Sequence, residues 1–350
     1  MADRAARPDT EENGVAGASI RDVARLAGVS TATVARVLRG TTPVSDQLRE
    51  RVTSAVAELR YIPNAVARSL SRGRTHLLGL LVADIANPFF GEVARGLEDA
   101  AVAAEYQVLV GSSDLDAGRE RRLLAAFEAR TVDAVALTST AADSAEINRL
   151  AATGMPMVFI DRRPADVPAP AVLIDNEAAT HRAARYLIEL GHTDLAMISG
   201  PRSMATAAQR LAGFRRACAE SGITVRPECV REGHLGAAGG EAAMREVLAL
   251  DPRPTAVLSF NNLLAVGALA AVRAAGVRIP AGISLLTFDD MPLFPFVDPP
   301  ITAIAQPAYD MGREAAAILL DALSTPDGVR PADVVLPSDF RIRESCAPPR

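Results

Sequence analysis

The sequence contains no lysine: all 37 of its Lys and Arg positions are arginines. Lysine-based catalysis is thereby excluded, as is the lysine of a phosphate-binding loop. Cysteine is nearly as scarce. Cys218, Cys229 and Cys346 form no short-spaced pair, which argues against a disulfide scaffold or cysteine-rich metal site and fits a reducing compartment. No uncharged apolar run reaches the ~18 residues of a membrane span. The opening segment carries Asp3, Arg4, Arg7, Asp9, Glu11 and Glu12 around no apolar centre. It reads as a disordered tail over residues 1–19 rather than a secretory leader, so a cytoplasmic protein is expected.

What remains is an ordinary globular composition: 350 residues, 49% hydrophobic and 23% charged. A chain of that length has room for more than one domain. Its net charge of −5 conceals an asymmetry. Between Ile20 and Arg74 ten arginines face four acids, whereas from Thr75 onward acids outnumber arginines by nine. A basic module on an acidic body suggests one nucleic-acid face on a body that repels phosphate. Charge alone leaves chance clustering open, so the pattern inside the basic segment has to decide.

Val23, Ala24 and Ala27 share one face of a short helix from Ile20 to Ala27, which Gly28 ends. After a tight turn, Ser30 or Thr31 can cap a second helix running to about Arg39, with Val34, Val37 and Leu38 turned inward. A third helix starts near Ser45, with Val52, Val56 and Leu59 at helical spacing. Three short helices with a tight turn between the first two make a helix-turn-helix. The second would enter a DNA major groove by its N-terminal end, presenting Thr31, Ala32, Thr33 and Arg36. Arg36 is the candidate for guanine, because its fork matches O6 and N7; Ala32 offers only an apolar contact. Thr33 suits phosphate. Arg21 and Arg25 read equally well as DNA contacts or as a solvated face.

The run Ile20-Arg-Asp-Val-Ala-Arg-Leu-Ala-Gly-Val-Ser-Thr-Ala-Thr-Val-Ala-Arg-Val-Leu-Arg-Gly40, then Val44-Ser45 and Tyr61-Ile-Pro-Asn-Ala-Val-Ala-Arg-Ser-Leu70, closely resembles the lactose-repressor (LacI/GalR) family of transcriptional regulators. One departure is Ala35, where that family usually has serine, so one positioning bond to phosphate is missing. By itself, the stretch from Asn64 to Ser71 is too short for a stable isolated helix, which needs ~12–15 residues, and it reads as a plain linker or as a helix ordered by a partner. The resemblance implies the latter: a hinge helix in the minor groove, started at Asn64, with Leu70 wedged into the central base step. The expected division is a helix-turn-helix domain over 20–63 and a hinge helix and linker over 64–75.

From His76 the pattern changes. Short apolar runs (Leu77 to Val82, Val108 to Gly111, Val132 to Leu137, Met157 to Ile160, Leu195 to Ile198, Ala256 to Phe260, Ile283 to Phe288) alternate with helical stretches such as Gly91 to Ala104 and Leu263 to Ala275. This predicts an α/β sensor of two doubly wound parallel-sheet lobes over 76–345, then a short tail over 346–350. Ligand would sit where strand C-termini face a cleft. Polar residues recur at those ends: Asn87, Asp161-Arg162, Asn261-Asn262 and Asp289-Asp290. Singly, Asn87, Asn262 or Asp289 is as readily a helix cap; recurrence favours a ligand site.

The body is also similar to that family's sensor domain, through Asp84-Ile-Ala-Asn-Pro-Phe-Phe90, Arg210-Leu-Ala-Gly-Phe214, Phe288-Asp-Asp290 and Gln306-Pro307. The resemblance implies that Arg210 grips ligand hydroxyls or a carboxylate and that Asp289 accepts from the ligand. Asn261 would line the pocket, Phe89 offer an apolar surface, and Asp161 a polar contact from the first lobe. Two departures stand out: Asn262 replaces a usual aspartate, and Gly233-His234-Leu235 lacks the usual aromatic.

An enzyme is not expected. There is no Gly-x-Gly-x-x-Gly after the first strand and no His-x-x-x-His, and the four histidines are scattered. Catalytic residues, cofactor and metal are all expected to be absent. A solute-binding protein would leave the basic segment unexplained. The resemblance implies a homodimer on a palindromic operator, repressing carbohydrate-catabolic genes until a sugar or sugar derivative binds. A purine-type corepressor would use the same fold and linkage.

Overall fold

A computed structural model describes residues 18–39, 44–61, 74–139, 144–325 and 332–350. Asn64, Leu70 and residues 1–17 of the expected tail lie outside them. The chain divides into two compact units, Met1–Thr75 and His76–Arg350.

In the first unit, α1 (Ile20–Ala27), α2 (Thr31–Arg39) and α3 (Asp46–Glu58) close around buried Val23, Ala27, Val34, Val52 and Ala55. Ser19 sets the start of α1 through a capping box: its hydroxyl accepts from the Asp22 amide, and the Asp22 carboxylate accepts from the Ser19 amide. Gly28 ends the helix at φ +61°, and a Cβ there would lie 2.7 Å from the Arg51 guanidinium. Arg51 reaches from α3 to donate to the Ala27 and Gly28 carbonyls, placing its charge at the negative end of α1. Ser30 caps α2, its Oγ accepting from the Thr33 amide at 3.2 Å. Leu38 departs from the sequence expectation. The core closes on Val34 and Val37, and Leu38, a further ~100° round the helix from Val37, is left exposed.

The second unit has two six-stranded sheets. The first contains β1 (Leu77–Val82), β2 (Gln107–Ser112), β3 (Ala134–Leu137), β4 (Met157–Ile160), β5 (Ala171–Ile174) and β11 (Val334–Leu336). Its order is β11-β5-β4-β3-β1-β2, parallel throughout. The second contains β6 (Leu195–Ser199), β7 (Val230–Glu232), β8 (Ala256–Ser259), β9 (Ser284–Phe288), β10 (Thr302–Ala305) and β12 (Asp339–Arg341). Its order is β12-β10-β9-β8-β6-β7, with β12 antiparallel to β10. This is the doubly wound pair of lobes that the alternation predicts.

Helices cover both faces of each sheet. Leu78, Leu80 and Val82 join one cluster with α4 (Pro88–Ala103) and α11 (Ala308–Ser324). Leu81, one step out of phase, joins another with α5 (Ala117–Ala129) and α6 (Ala145–Ala152). In the second lobe, α7 (Asn176–Glu189) and α8 (Ala205–Glu220) cover one face, and α9 (Ala237–Leu248) and α10 (Asn262–Ala274) the other. Each fully buried Leu, Ile, Val or Phe contributes ~1.5–3 kcal/mol. Close approach of α4 to α11 requires glycine: a Cβ at Gly96 would fall 1.9 Å from the Tyr309 carbonyl oxygen.

The chain passes between the lobes three times, from β5 to α7, from β10 to α11 and from β11 to β12. Three parallel connections form a hinge, and the carboxyl ends of both sheets face the cleft between the lobes.

Candidate functional site

The open end of α2 shows Thr31, Ala32 and Arg36 exposed, with Thr33 half-buried beneath Ser30. Ala32 and Arg36 are one turn apart on the same face. Arg25 pairs with Asp22 along α1, which fits its solvated-face reading.

In the second unit, Phe89, Asp161, Arg210, Asn261 and Asp289 all line one cleft. Local structure explains how each arrives there. Asn87 caps α4, its Oδ1 accepting from the Phe89 amide at 3.0 Å, which fixes Phe89 at the cleft wall. Asn261 likewise caps α10, accepting from the Leu264 amide at 2.9 Å. Asn261 thus caps a helix and lines the cleft at once. Asp161 and Asp289 follow β4 and β9 at φ +70° and +63°, a left-handed turn that a short polar side chain tolerates and that aims each carboxylate into the cleft.

Arg210 stands at the centre, 2% exposed. Its Nε donates to Asn176 Oδ1 at 2.8 Å and its Nη1 to the Phe260 carbonyl at 2.7 Å. Phe288 and Phe260 face the guanidinium at 3.5 and 4.7 Å from their ring centroids. Its nitrogens lie 4.0 Å from Asp161 and 3.9 Å from Asp289. Burial pulls its pKa down against the attraction of those carboxylates. The expectation of a ligand-gripping arginine is thus refined: much of its fork is engaged within the protein, holding two carboxylates in position.

Burial pushes the Asp289 carboxyl up to about 6, although Arg210 and a 2.6 Å hydrogen bond from Gln306 Nε2 oppose it. Asp290 has a different task. Burial raises it too, but hydrogen bonds from Arg343 and Arg341 outweigh that and leave it below the ordinary carboxylate value.

Two cleft residues and one behind them escape the sequence reading as site residues. Arg162, 6% exposed, donates from Nη1 to Asp161 at 2.8 Å and from Nε to the Ser139 carbonyl at 2.7 Å. Its Nη2 is buried without a hydrogen-bond partner among the described residues, as is Gln306 Oε1. Asn176, a step from the cleft, positions Arg210. Arg162 directly follows Asp161, so a strand-end signal existed; Gln306 belongs to the resembling Gln306-Pro307 pair, but neither it nor Asn176 is assigned a role by the sequence. Leu235, the departure from the family's usual aromatic, lines the cleft, while His234 is exposed.

Comparisons with known proteins bear on both units. A profile described as bacterial regulatory proteins, lacI family, matches residues 19–64, and one described as a periplasmic binding protein-like domain matches residues 184–346. The chain is 35% identical over 317 residues to the HTH-type transcriptional repressor PurR of Aliivibrio fischeri, spanning 89% of this chain and 94% of that one. The chain belongs to the LacI family of bacterial regulatory proteins. Solved LacI-type structures agree. A lac repressor dimer bound to operator and an anti-inducer superposes at TM-score 0.82, with 28% identity over 94% of this chain and 99% of that one. A transcriptional regulator CelR–cellobiose complex gives 0.72, with 32% identity over 94% and 99%. As a LacI-family member the protein is a sequence-specific DNA-binding transcriptional regulator and not an enzyme.

Proposed function

We propose that this regulator represses carbohydrate-catabolic genes as a homodimer in the cytoplasm and releases its palindromic operator when a neutral, polyhydroxylated sugar enters the cleft. The carrying observation is the cleft's polar set. Two guanidiniums, Arg162 and Arg210, stand among three carboxylates, Asp84, Asp161 and Asp289, so the set has no excess positive charge, and an unpartnered donor and acceptor remain at Arg162 Nη2 and Gln306 Oε1. A neutral sugar supplies both hydroxyl donors and acceptors. A phosphorylated one would bring its anion against three carboxylates. Asn261 uses Oδ1 for its cap, which leaves Nδ2 for the ligand. Phe89 covers an apolar ring face. A purine-type corepressor is the weaker reading, because Leu235 provides no second stacking surface.

On the DNA side, Arg36 reads a guanine, Ala32 a thymine methyl, and Thr31 and Thr33 the backbone, with Asn64 and Leu70 serving the minor groove. Sugar binding would favour one lobe arrangement and so change operator affinity by a coupling of ~1–3 kcal/mol, roughly 5–150-fold. Thermal-shift screening against neutral sugars, sugar phosphates and purines tests the effector class: stabilisation by a neutral sugar alone is expected, and stabilisation by purines alone would overturn it. Gel-shift titration on palindromic and scrambled duplexes at ~150 mM salt tests the operator; equal affinity for both would sink sequence reading.

A further inference from the structure

Asn262 lies outside the set that touches the cleft, yet it spans the two lobes. It opens α10 in the second lobe and is fully buried. Its Nδ2 donates to Asn87 Oδ1, in the first lobe, at 3.0 Å. Its own Oδ1 accepts from the Leu263 amide at 2.8 Å. Asn87 Oδ1 accepts at the same time from the Phe89 amide. Both amide orientations are therefore fixed by backbone donors: turning either side chain over would forfeit a helix-start hydrogen bond. The bridge sits beside two cleft residues, two positions before Phe89 and one after Asn261.

We propose that Asn262 is a positioning residue that latches the two lobes through Asn87 before any effector arrives. The chemistry requires a donor at 262 and an acceptor at 87. Aspartate at 262, the residue usual in the family, would set two acceptors face to face unless Asn87 turned over and gave up its bond from the Phe89 amide. This chain therefore joins its lobes by an amide–amide bond that keeps the Asn87 cap intact, where a carboxylate would have to forfeit either the bridge or that cap. The inference rests on the reading of the cleft as the effector site, but the latch itself exists without effector.

Two isosteric substitutions separate a latch from simple packing. Spin labels at Ser144→Cys and Ser203→Cys, on opposite lobes at the cleft mouth, report interlobe distance in the full-length protein. The three native cysteines are buried, so the introduced pair is the one labelled. Asn262→Asp should shift the ligand-free distance distribution to longer values. Asn87→Asp, which keeps the acceptor, should leave it at the parent position. If both variants shift alike, or neither shifts, the latch is wrong. Should the carboxylate at 262 unfold the lobe, Asn262→Ala removes the donor without adding charge and must also lengthen the distance; the parent distribution in that variant would overturn the proposal. Adding D-ribose or cellobiose to the labelled parent distinguishes the two readings. No response to either sugar counts against the effector assignment, while the contrast between Asn262→Asp and Asn87→Asp still judges the latch.

Discussion

Arg36 and Arg210 are the same side chain in opposite settings. Arg36 stands exposed on α2, where its fork is free for a partner. Arg210 is buried between two phenylalanine rings, two hydrogen-bond acceptors and two carboxylates. The contrast extends to their regions. The face of α2 proposed to read DNA is attached to a small core that does not depend on it, so its side chains can change without cost to folding. The cleft is built from the same contacts that hold the second lobe together, so on the proposed reading ligand response and stability are one property there.

The sharpest way to break that contrast is Arg210→Ala. It leaves Asp161 and Asp289 buried with one fewer countercharge, and removing one partner from such a set costs ~3–5 kcal/mol. Urea denaturation should show that loss, together with loss of any thermal shift from sugar. A variant that keeps parental stability would mean the guanidinium is a ligand group alone.

Asp289 gives the next largest effect, and it depends on pH. Its folded pKa of about 6 lies above the ordinary 3.8. The folded state thus holds the proton more tightly than the unfolded state. Stability from this group is fully present below about pH 4 and is lost as pH rises through about 6, by at most ~3 kcal/mol. Asn at 289 cannot ionise but can still accept from Gln306. The stability of Asp289→Asn relative to the parent should therefore rise between pH 4 and pH 7. A flat difference across that window would show that Arg210 neutralises the carboxylate fully.

The two regions also differ in how much the sequence discloses. The helix-turn-helix is legible because its chemistry is local: Gly28 and Ser30 declare turn and cap within a few residues, and each helix shows its own apolar face through Val23, Val34 and Val52. Leu38 misleads, since periodicity cannot say where a three-helix core stops. In the sensor, β1, β4, β6 and β9 announce themselves as apolar runs. The three-residue strands β7, β11 and β12 do not, because strands that short lie within the noise of any period-2 pattern. The site divides the same way. Asp161 and Asp289 follow strong strands and are visible there. Gln306 is placed by β10, and Asn176 matters only through a contact 34 positions away, which no local pattern contains.

Arg36→Ala sharpens the comparison from the DNA side. It should cost about 1–3 kcal/mol of operator affinity, concentrated at one base position. Folding stability should stay within ~0.5 kcal/mol of the parent, as for other exposed substitutions. Measured affinities on a set of single-base operator variants check this; equal loss on every sequence would assign Arg36 to phosphate.

The smallest expected effect sets two caps against each other. Ser30 and Asn261 each accept an amide hydrogen bond at the start of a helix, at 3.2 and 2.9 Å. Removing such a cap costs ~1 kcal/mol of stability. Ser30→Ala should incur that cost in the DNA-binding unit and weaken binding to all DNA sequences together, because it loosens α2 as a whole without touching a base. Asn261→Ala should incur a similar cost and in addition lower sugar affinity, since the same side chain faces the cleft. Melting curves read the shared part of the two effects, and sugar titration reads the part confined to Asn261. If Asn261→Ala leaves sugar affinity at the parental value, residue 261 is a cap alone, and the boundary between scaffold and site moves back to Arg210 and the two aspartates.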